Sequence, residues 1–334
     1  MIRSVFRPQG GVSVIAEPAN THNGSVDYLT RLIDEVRESG ADAIKFQIFE
    51  PDHLAVPDYE WYPVYQKVAL PYDAWERLIA LASSAGLHVV AEVFDREAAA
   101  FCVNHDVYSF KLNIADTFNR PLVEYLAGAT RTVFLSVGGS LLSEIDGALT
   151  ALGSNGANLI LDYGFQGYPT ELRFSNLAKI RLLALHCGRP VCFADHVAGD
   201  DPLAIDLPCL AVAAGATSIE KHVILKREED RYDFYSSIEP HQFGAMVSRI
   251  RAVEVCLGTS GLELDDAELQ YREQHKKCAV LRRALPAGYE LTRADLTFKR
   301  ANGPKDFVSL DEVVGRTLAV SLPPNMPVLA EHLE

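Results

Sequence analysis

The sequence predicts an α/β chain: a (β/α)8 barrel followed by a small, mostly β domain. Three observations carry this prediction. Eight short apolar runs alternate with helical stretches over about 245 residues, the size of such a barrel. No G-x-G-x-x-G follows the first run, which weakens the competing doubly wound dinucleotide-binding sheet. Near residue 258 the alternation stops and a polar, charged stretch takes over.

The apolar runs are 12–19 (VSVIAEPA), 43–49 (AIKFQIF), 88–94 (HVVAEVF), 109–115 (SFKLNIA), 132–138 (TVFLSVG), 157–164 (ANLILDYG), 190–196 (PVCFADH) and 217–224 (TSIEKHVI). They read as buried parallel strands. Helices are expected to begin near 25, 73, 96, 119, 140, 173, 202 and 240. The first, SVDYLTRLIDEVRESG, opens on a serine cap, ends on glycine and spaces its apolar residues helically. This assigns 1–257 to the barrel. Residues 258–275, GTSGLELDDAELQYREQH, read as a linker holding a helical turn. Residues 276–334 have short strands and Pro/Gly turns, a small domain near the limit of independent stability.

Composition narrows the function. Hydrophobic residues make up 48% and charged residues 23% of the 334, an ordinary globular profile. A net charge of -14 argues against a broad nucleic-acid footprint, yet leaves room for a locally bound anion. The opening MIRSVFRPQGG lacks a signal-peptide pattern, and no apolar run reaches membrane-spanning length. Six cysteines without C-x-x-C spacing fit reduced thiols in a cytosolic protein.

In a (β/α)8 barrel the chemistry sits where the strands end. The last two strands end in Ala194-Asp195-His196 and Glu220-Lys221-His222, each histidine with an acid just upstream. A crossover connection puts these ends side by side. Three readings stay open for His196 and His222: a divalent metal site, a catalytic acid/base pair, or two satisfied strand-end histidines. The other ends contribute Glu17, Lys45, Gln47, Glu92, Asp95, Lys111, Asn113, Ser136 with the following GGS, then Gln166, Tyr168 and Thr170. Lysine is poorly tolerated in an apolar strand, yet Lys45, Lys111 and Lys221 each interrupt one. They call for an anionic substrate or for partners among Glu17, Glu92 and Glu220. Glu17 is a candidate base or cation stabiliser, or equally a lysine partner. The SVGGS turn can offer N–H groups to a phosphate. The rim suggests a lyase or transferase of phosphorylated or carboxylated small molecules.

The residues also carry a family resemblance. IAEPANTHNG resembles the opening motif of the sialic acid (N-acylneuraminate) synthases. The likeness continues in order through GADAIKFQIF, YQKVAL, FDREAAAF, LVEYLA, LSVGGSLLSEI, YPTELRFSNLAKIRLL, ADHVAGDDPLAIDLPCLAVAAGATSIEKHVIL and SSIEPHQF, spanning residues 12–257. LPAGYELTRADLTFKRANG and LDEVVGRTLAVSLPPNMPV resemble that family's antifreeze-like (SAF) domain. The resemblance implies condensation of phosphoenolpyruvate with an open-chain sugar aldehyde, giving a 2-keto-3-deoxy sugar acid and phosphate. It implies a divalent metal on His196 and His222, manganese first, with magnesium or cobalt as alternatives. Glu17 matches the family's cation-stabilising glutamate, and Lys45, Lys111 and Ser136 its phosphoenolpyruvate-binding positions. Gln47, Tyr168, Glu220 and Asp233 match positions near sugar and metal. Arg300 matches an arginine that reaches a neighbour's site, in a homodimer with swapped C-terminal domains. A cytoplasmic enzyme without membrane or nucleic-acid partners is expected.

Several rim positions depart from the family pattern. AEVFD puts Glu92 where the family has a phosphate-contacting threonine, and Ile114 replaces a serine. LDYGFQGYPT lacks the family's His-Cys, RYDFYSS brings Phe234 and Tyr235 in place of His and Lys, and KRANG replaces R-P-G. A carboxylate beside a phosphate is repulsive unless protonated or bridged. Changes clustered at the rim predict a changed pocket, with an acceptor other than N-acetylmannosamine. Two other activities fit the same residues: a metal-dependent aldolase or lyase acting on a sugar keto acid, and a non-catalytic sugar-acid binder.

Overall fold

The computed structural model describes residues 6, 11–129, 131–153, 157–228, 230–258 and 261–334. They divide into two compact units, Met1–Gly258 and Thr259–Glu334.

The first unit is a closed barrel of eight parallel strands in sequence order. The strands are β1 (Ser13–Glu17), β2 (Ala43–Ile48), β3 (His88–Val93), β4 (Ser109–Leu112), β5 (Thr132–Ser136), β6 (Asn158–Tyr163), β7 (Val191–Asp195) and β8 (Ser218–His222). Closure comes from β1 pairing with β8, Glu17 opposite His222. The helices are α1 (Val26–Glu38), α2 (Pro51–Leu54), α3 (Tyr62–Val68), α4 (Tyr72–Ser84), α5 (Arg96–Asn104), α6 (Arg120–Ala129), α7 (Leu142–Leu152), α8 (Ala178–Cys187), α9 (Leu207–Ala213) and α10 (Pro240–Leu257).

Two apolar layers hold the barrel. Outward strand residues such as Val14, Ile44, Phe46, Ala91 and Leu135 pack against helix faces. Helix α1 supplies Leu29, Leu32, Ile33 and Val36, one face at helical spacing. Ser25 caps it, its Oγ accepting from Tyr28 N at 3.2 Å. Inside, Phe6, Ile15, Ala43, Val90, Phe134, Ile160 and Cys192 form a plug below the rim. Phe6 stands edge-on to Phe134 at 4.9 Å. Gly138 follows β5 so closely against β6 that a Cβ would strike the carbonyl oxygen of Gly164. Its smallness therefore serves strand-end packing, whatever its N–H does for a ligand.

The second unit contains α11 (Asp266–His275), β9 (Cys278–Leu281), β10 (Leu296–Lys299) and α12 (Leu310–Val313). Strands β9 and β10 pair antiparallel, Leu281 opposite Leu296. Further single bridges, such as Leu285 with Leu322, knit the loops. Leu281, Leu285, Leu291, Leu296, Val313, Leu318, Leu322 and Val328 form its core. The helical turn expected in the linker is a ten-residue helix, α11. The Asp265 side chain caps it by accepting from Glu268 N at 2.8 Å, and none of its residues is buried.

Candidate active site

The site follows from strand alternation. Successive residues point to opposite faces, so every second one enters the barrel. Two residues beyond the apolar plug, the interior becomes charged: Glu17, Lys45, Glu92, Lys111, Asp162 and Glu220 are all buried. The ends of six different strands supply them.

Each ammonium is surrounded by carboxylates. Lys45 Nζ lies 2.8 Å from Glu17 Oε2, 2.8 Å from Glu220 Oε1 and 3.1 Å from Glu92 Oε2. Lys111 Nζ lies 2.7 Å from both Asp162 Oδ2 and Glu220 Oε1. Glu220 thus bridges the two lysines. Gln47 Nε2 donates to Glu17 Oε1 at 3.1 Å and Glu92 Oε2 at 3.3 Å. Asn113 Nδ2 donates to Glu92 Oε1 at 2.7 Å.

The charges sustain one another. Burial opposes the ammonium of Lys45, but Glu17, Glu220 and Glu92 outweigh it and hold its pKa above the ordinary value. Lys111 is raised in the same way, burial being overcome first by Asp162 and then by Glu220. Burial also opposes the charge on Glu220 and Glu92, yet the lysines pull both below the ordinary carboxylate value. Asp162 behaves otherwise: burial outweighs Lys111, and its carboxyl is pushed up to about 6.

Above this layer stand the histidines. The rings of His196 and His222 meet edge to face with centroids 4.9 Å apart. Tyr168 lies 5.1 Å from His196 and 6.2 Å from His222. His222 Nε2 sits 3.3 Å from Glu17 Oε2; burial opposes its charge, but that carboxylate raises its pKa. Burial, reinforced by His222, holds His196 well below its ordinary value, as neutral imidazole. The Nδ1 atoms of both histidines are buried without a hydrogen-bond partner. Two orphaned imidazole nitrogens in one buried cluster fit a pair of metal ligands. Among the described residues the pair does not complete a set of three ligands; such sets are Asp146–His186–Cys187 and His53–Asp95–Glu97, neither of which includes His196 or His222.

The acids just upstream do not serve these histidines. Asp195 binds Lys221 Nζ at 2.8 Å, and Glu220 serves the lysines. The third lysine expected at the rim, Lys221, falls on the opposite alternation from Glu220 and His222 and also donates to Val197 O at 3.2 Å. Its ion pair lies outside the charged interior. Ser136 is buried beside Asp162 in the β5–β6 register. Asp233, at a φ of 59°, accepts from Asn20 N at 3.0 Å and from Tyr235 Oη at 3.3 Å. Arg300 belongs to the second unit, where its Nε donates to His275 O at 3.1 Å.

A cavity of about 610 Å³ opens over the cluster, lined by Gln47, Asn113 and His222 at its floor. Its walls carry Phe49, Tyr59, Trp61, Tyr65, Tyr168 and Tyr235. Asp116, Asp233 and His53 are the titratable non-tyrosine groups of the wall, and no described lining residue is a lysine or arginine. Sequence reasoning missed Asp162 as a site residue. Its position two residues beyond Ile160 on an inward face was the available signal.

Residues 32–261 match the NeuB family and residues 276–334 the SAF domain. The chain belongs to the NeuB family. This NeuB-family chain is 31% identical over 288 residues to an uncharacterized protein of Methanocaldococcus jannaschii, covering 86% of the chain and 84% of that protein. It is 28% identical over 340 residues to the N,N'-diacetyllegionaminic acid synthase of Legionella pneumophila, covering 96% and 94%. Among solved structures it is similar to the N-acetylneuraminic acid (sialic acid) synthetase of Leptospira borgpetersenii, in complex with citrate: 27% identity, TM-score 0.74, 79% of this chain and 92% of that one.

Proposed function

We propose that the protein condenses phosphoenolpyruvate with the open-chain aldehyde of an amino sugar, giving a 2-keto-3-deoxy sugar acid and phosphate. The observation that carries this reading is Glu17, gripped by Lys45 and Gln47 and 3.3 Å from His222, between the buried charges and the open cavity. In the reaction, carbon 3 of the enolpyruvate bonds to the aldehyde carbon and the aldehyde oxygen takes a proton. Water adds at carbon 2, and the tetrahedral carbon expels phosphate to leave the ketone.

Lys45 and Lys111 are the cations available to the substrate's anionic groups, with Ser136 alongside. Glu220 bridges the lysines and positions them. Glu17, already held in place, stabilises positive charge at carbon 2 and orients the water without reorganising. His196 and His222 would hold a divalent cation, manganese, magnesium or cobalt, which when bound supplies Lewis acidity to the aldehyde oxygen. Tyr168, Gln47 and Asp233 contact the acceptor. The aromatic, cation-free lining supports an acceptor without a phosphate of its own. Arg300 is assigned to a neighbouring subunit's acceptor in a swapped homodimer.

The test is phosphate release from phosphoenolpyruvate with divalent cation and a panel of N-acyl hexosamines. Release that requires acceptor and cation is expected; none with any acceptor sinks the reading. One observation favours a second activity: Glu92 already occupies Lys45, which suits a lyase cleaving a sugar keto acid without phosphate. Phosphate-independent release of pyruvate from such an acid would select it.

A further inference from the structure

The condensation reading, on which this inference rests, brings a multiply charged anion to Lys45 and Lys111. Those lysines are already taken. Glu17, Glu92, Asp162 and Glu220 place four carboxylates around two ammonium groups, every one of the six buried. Ionised throughout, the cluster is negative, and an entering anion meets repulsion in a medium that screens poorly. One carboxylate must lose its charge or leave.

Asp162 is the one built to do so. Glu92 is held by Gln47 and Asn113, Glu17 by Gln47, and Glu220 accepts from both lysines at once, which keeps it ionised. Asp162 has no such amide donor. Its Oδ1 is buried without a conventional hydrogen-bond partner, and Lys111 faces only its Oδ2. On β7 the group opposite is the Cys192 thiol, a weak donor. On β5 it is the uncharged Ser136. Lys111 of β4, Glu220 of β8 and, more distantly, Lys45 of β2 complete its charged surroundings. An acid so placed carries a proton at little cost and then has an O–H to donate.

We propose that Asp162 is a binding residue of the anion pocket and works there as the neutral acid: anion binding takes up one proton, Asp162 carries it, and its O–H donates to an anion oxygen while Lys111 turns to the ligand. Its carboxyl, already up to about 6 without ligand, rises further beside an anion. Binding then weakens with pH by about tenfold per unit above neutrality, the signature of one linked proton.

Sulfate is the probe for proton counting, because it does not itself titrate in this range. Calorimetry at pH 7.5 in two buffers of different ionisation enthalpy measures proton uptake, and Kd is followed from pH 6 to 8.5. Wild type is expected to take up about one proton and to show the tenfold slope. Asp162→Asn, whose amide donates without a proton, is expected to bind with neither uptake nor slope. Asp162→Ala, folded by circular dichroism, is expected to bind at least tenfold more weakly than Asp162→Asn. Sulfate and phosphoenolpyruvate binding without proton uptake in wild type, or with the same slope in Asp162→Asn, overturns the role of Asp162 and leaves the condensation intact. Failure of both anions to bind at any pH overturns the pocket and the condensation together.

Discussion

Glu17 and Lys45 carry the most consequential contacts at the scale of single residues. Glu17→Gln keeps the shape and the contact with Gln47 but removes the charge facing carbon 2. Phosphate release is expected to fall about 100-fold or more, with KM little changed, as for loss of one preorganised electrostatic contact. Lys45→Met leaves three carboxylates facing one another. Breaking a buried ion pair from one side costs about 3–5 kcal/mol, read as a lowered denaturation midpoint. The pH dependence of stability separates Asp162 from Glu220. Glu220 is held below its ordinary value, so its contribution is full above the normal carboxylate range and fades as pH falls. Asp162 is raised from 3.8 to about 6, so its contribution is full below 3.8 and lost as pH rises through 6. Asp162→Asn should therefore raise the thermal midpoint at pH 8 relative to wild type, and less or not at all at pH 4. Equal shifts at both pH values would contradict this.

Elements bring these residues together, and some were more legible than others. Helix α1 could be read from its serine cap, apolar spacing and terminal glycine. Ser25→Ala removes the cap bond to Tyr28 N, and a loss of about 1 kcal/mol in urea denaturation is expected. Helices α2 and α3 lie outside the helical stretches that the sequence predicts. Both are short and have proline in their first turn, where proline suits a helix start although it usually signals a break. The sequence of helix α11 reads as a linker holding a helical turn because it has no apolar face; the Asp265 to Glu268 capping box and basic last turn are its local signatures. The strands were legible as runs, but their alternation decided more. It turned Glu220 and His222 inward and left Lys221 with Asp195. Gly138 shows the same limit. Its smallness is required by the Gly164 carbonyl just past the end of the next strand, so Gly138→Ala should destabilise the protein by about 1–3 kcal/mol, measured by chemical denaturation.

For the whole molecule, the barrel concentrates charge from chain positions 17 to 220 in one buried layer, sealed below by an apolar plug and open above to the cavity. Among the described residues no helix is long and apolar enough to cross a membrane. Cation binding is expected to raise the thermal midpoint of chelator-treated protein, because a ligand of the folded state stabilises it by mass action. His196→Ala should abolish that shift. An unchanged shift in this variant would put the cation elsewhere, His53–Asp95–Glu97 being one described alternative.

The amino-acid sequence alone determined the barrel class, the second domain, and Glu17, Lys45, Lys111, His196 and His222 as rim candidates. Strand runs, helix caps and colinear motifs are local properties, and the strand-end rule turns them into one surface. Only the tertiary structure decided who pairs with whom. Ion pairing depends on which strands become neighbours and on which face each side chain enters, and neither is encoded at one position. Tertiary structure therefore gave Glu220 to both lysines, Glu17 to His222 and Lys221 to Asp195, and it left Asp162 with Lys111 on one oxygen and no conventional donor on the other.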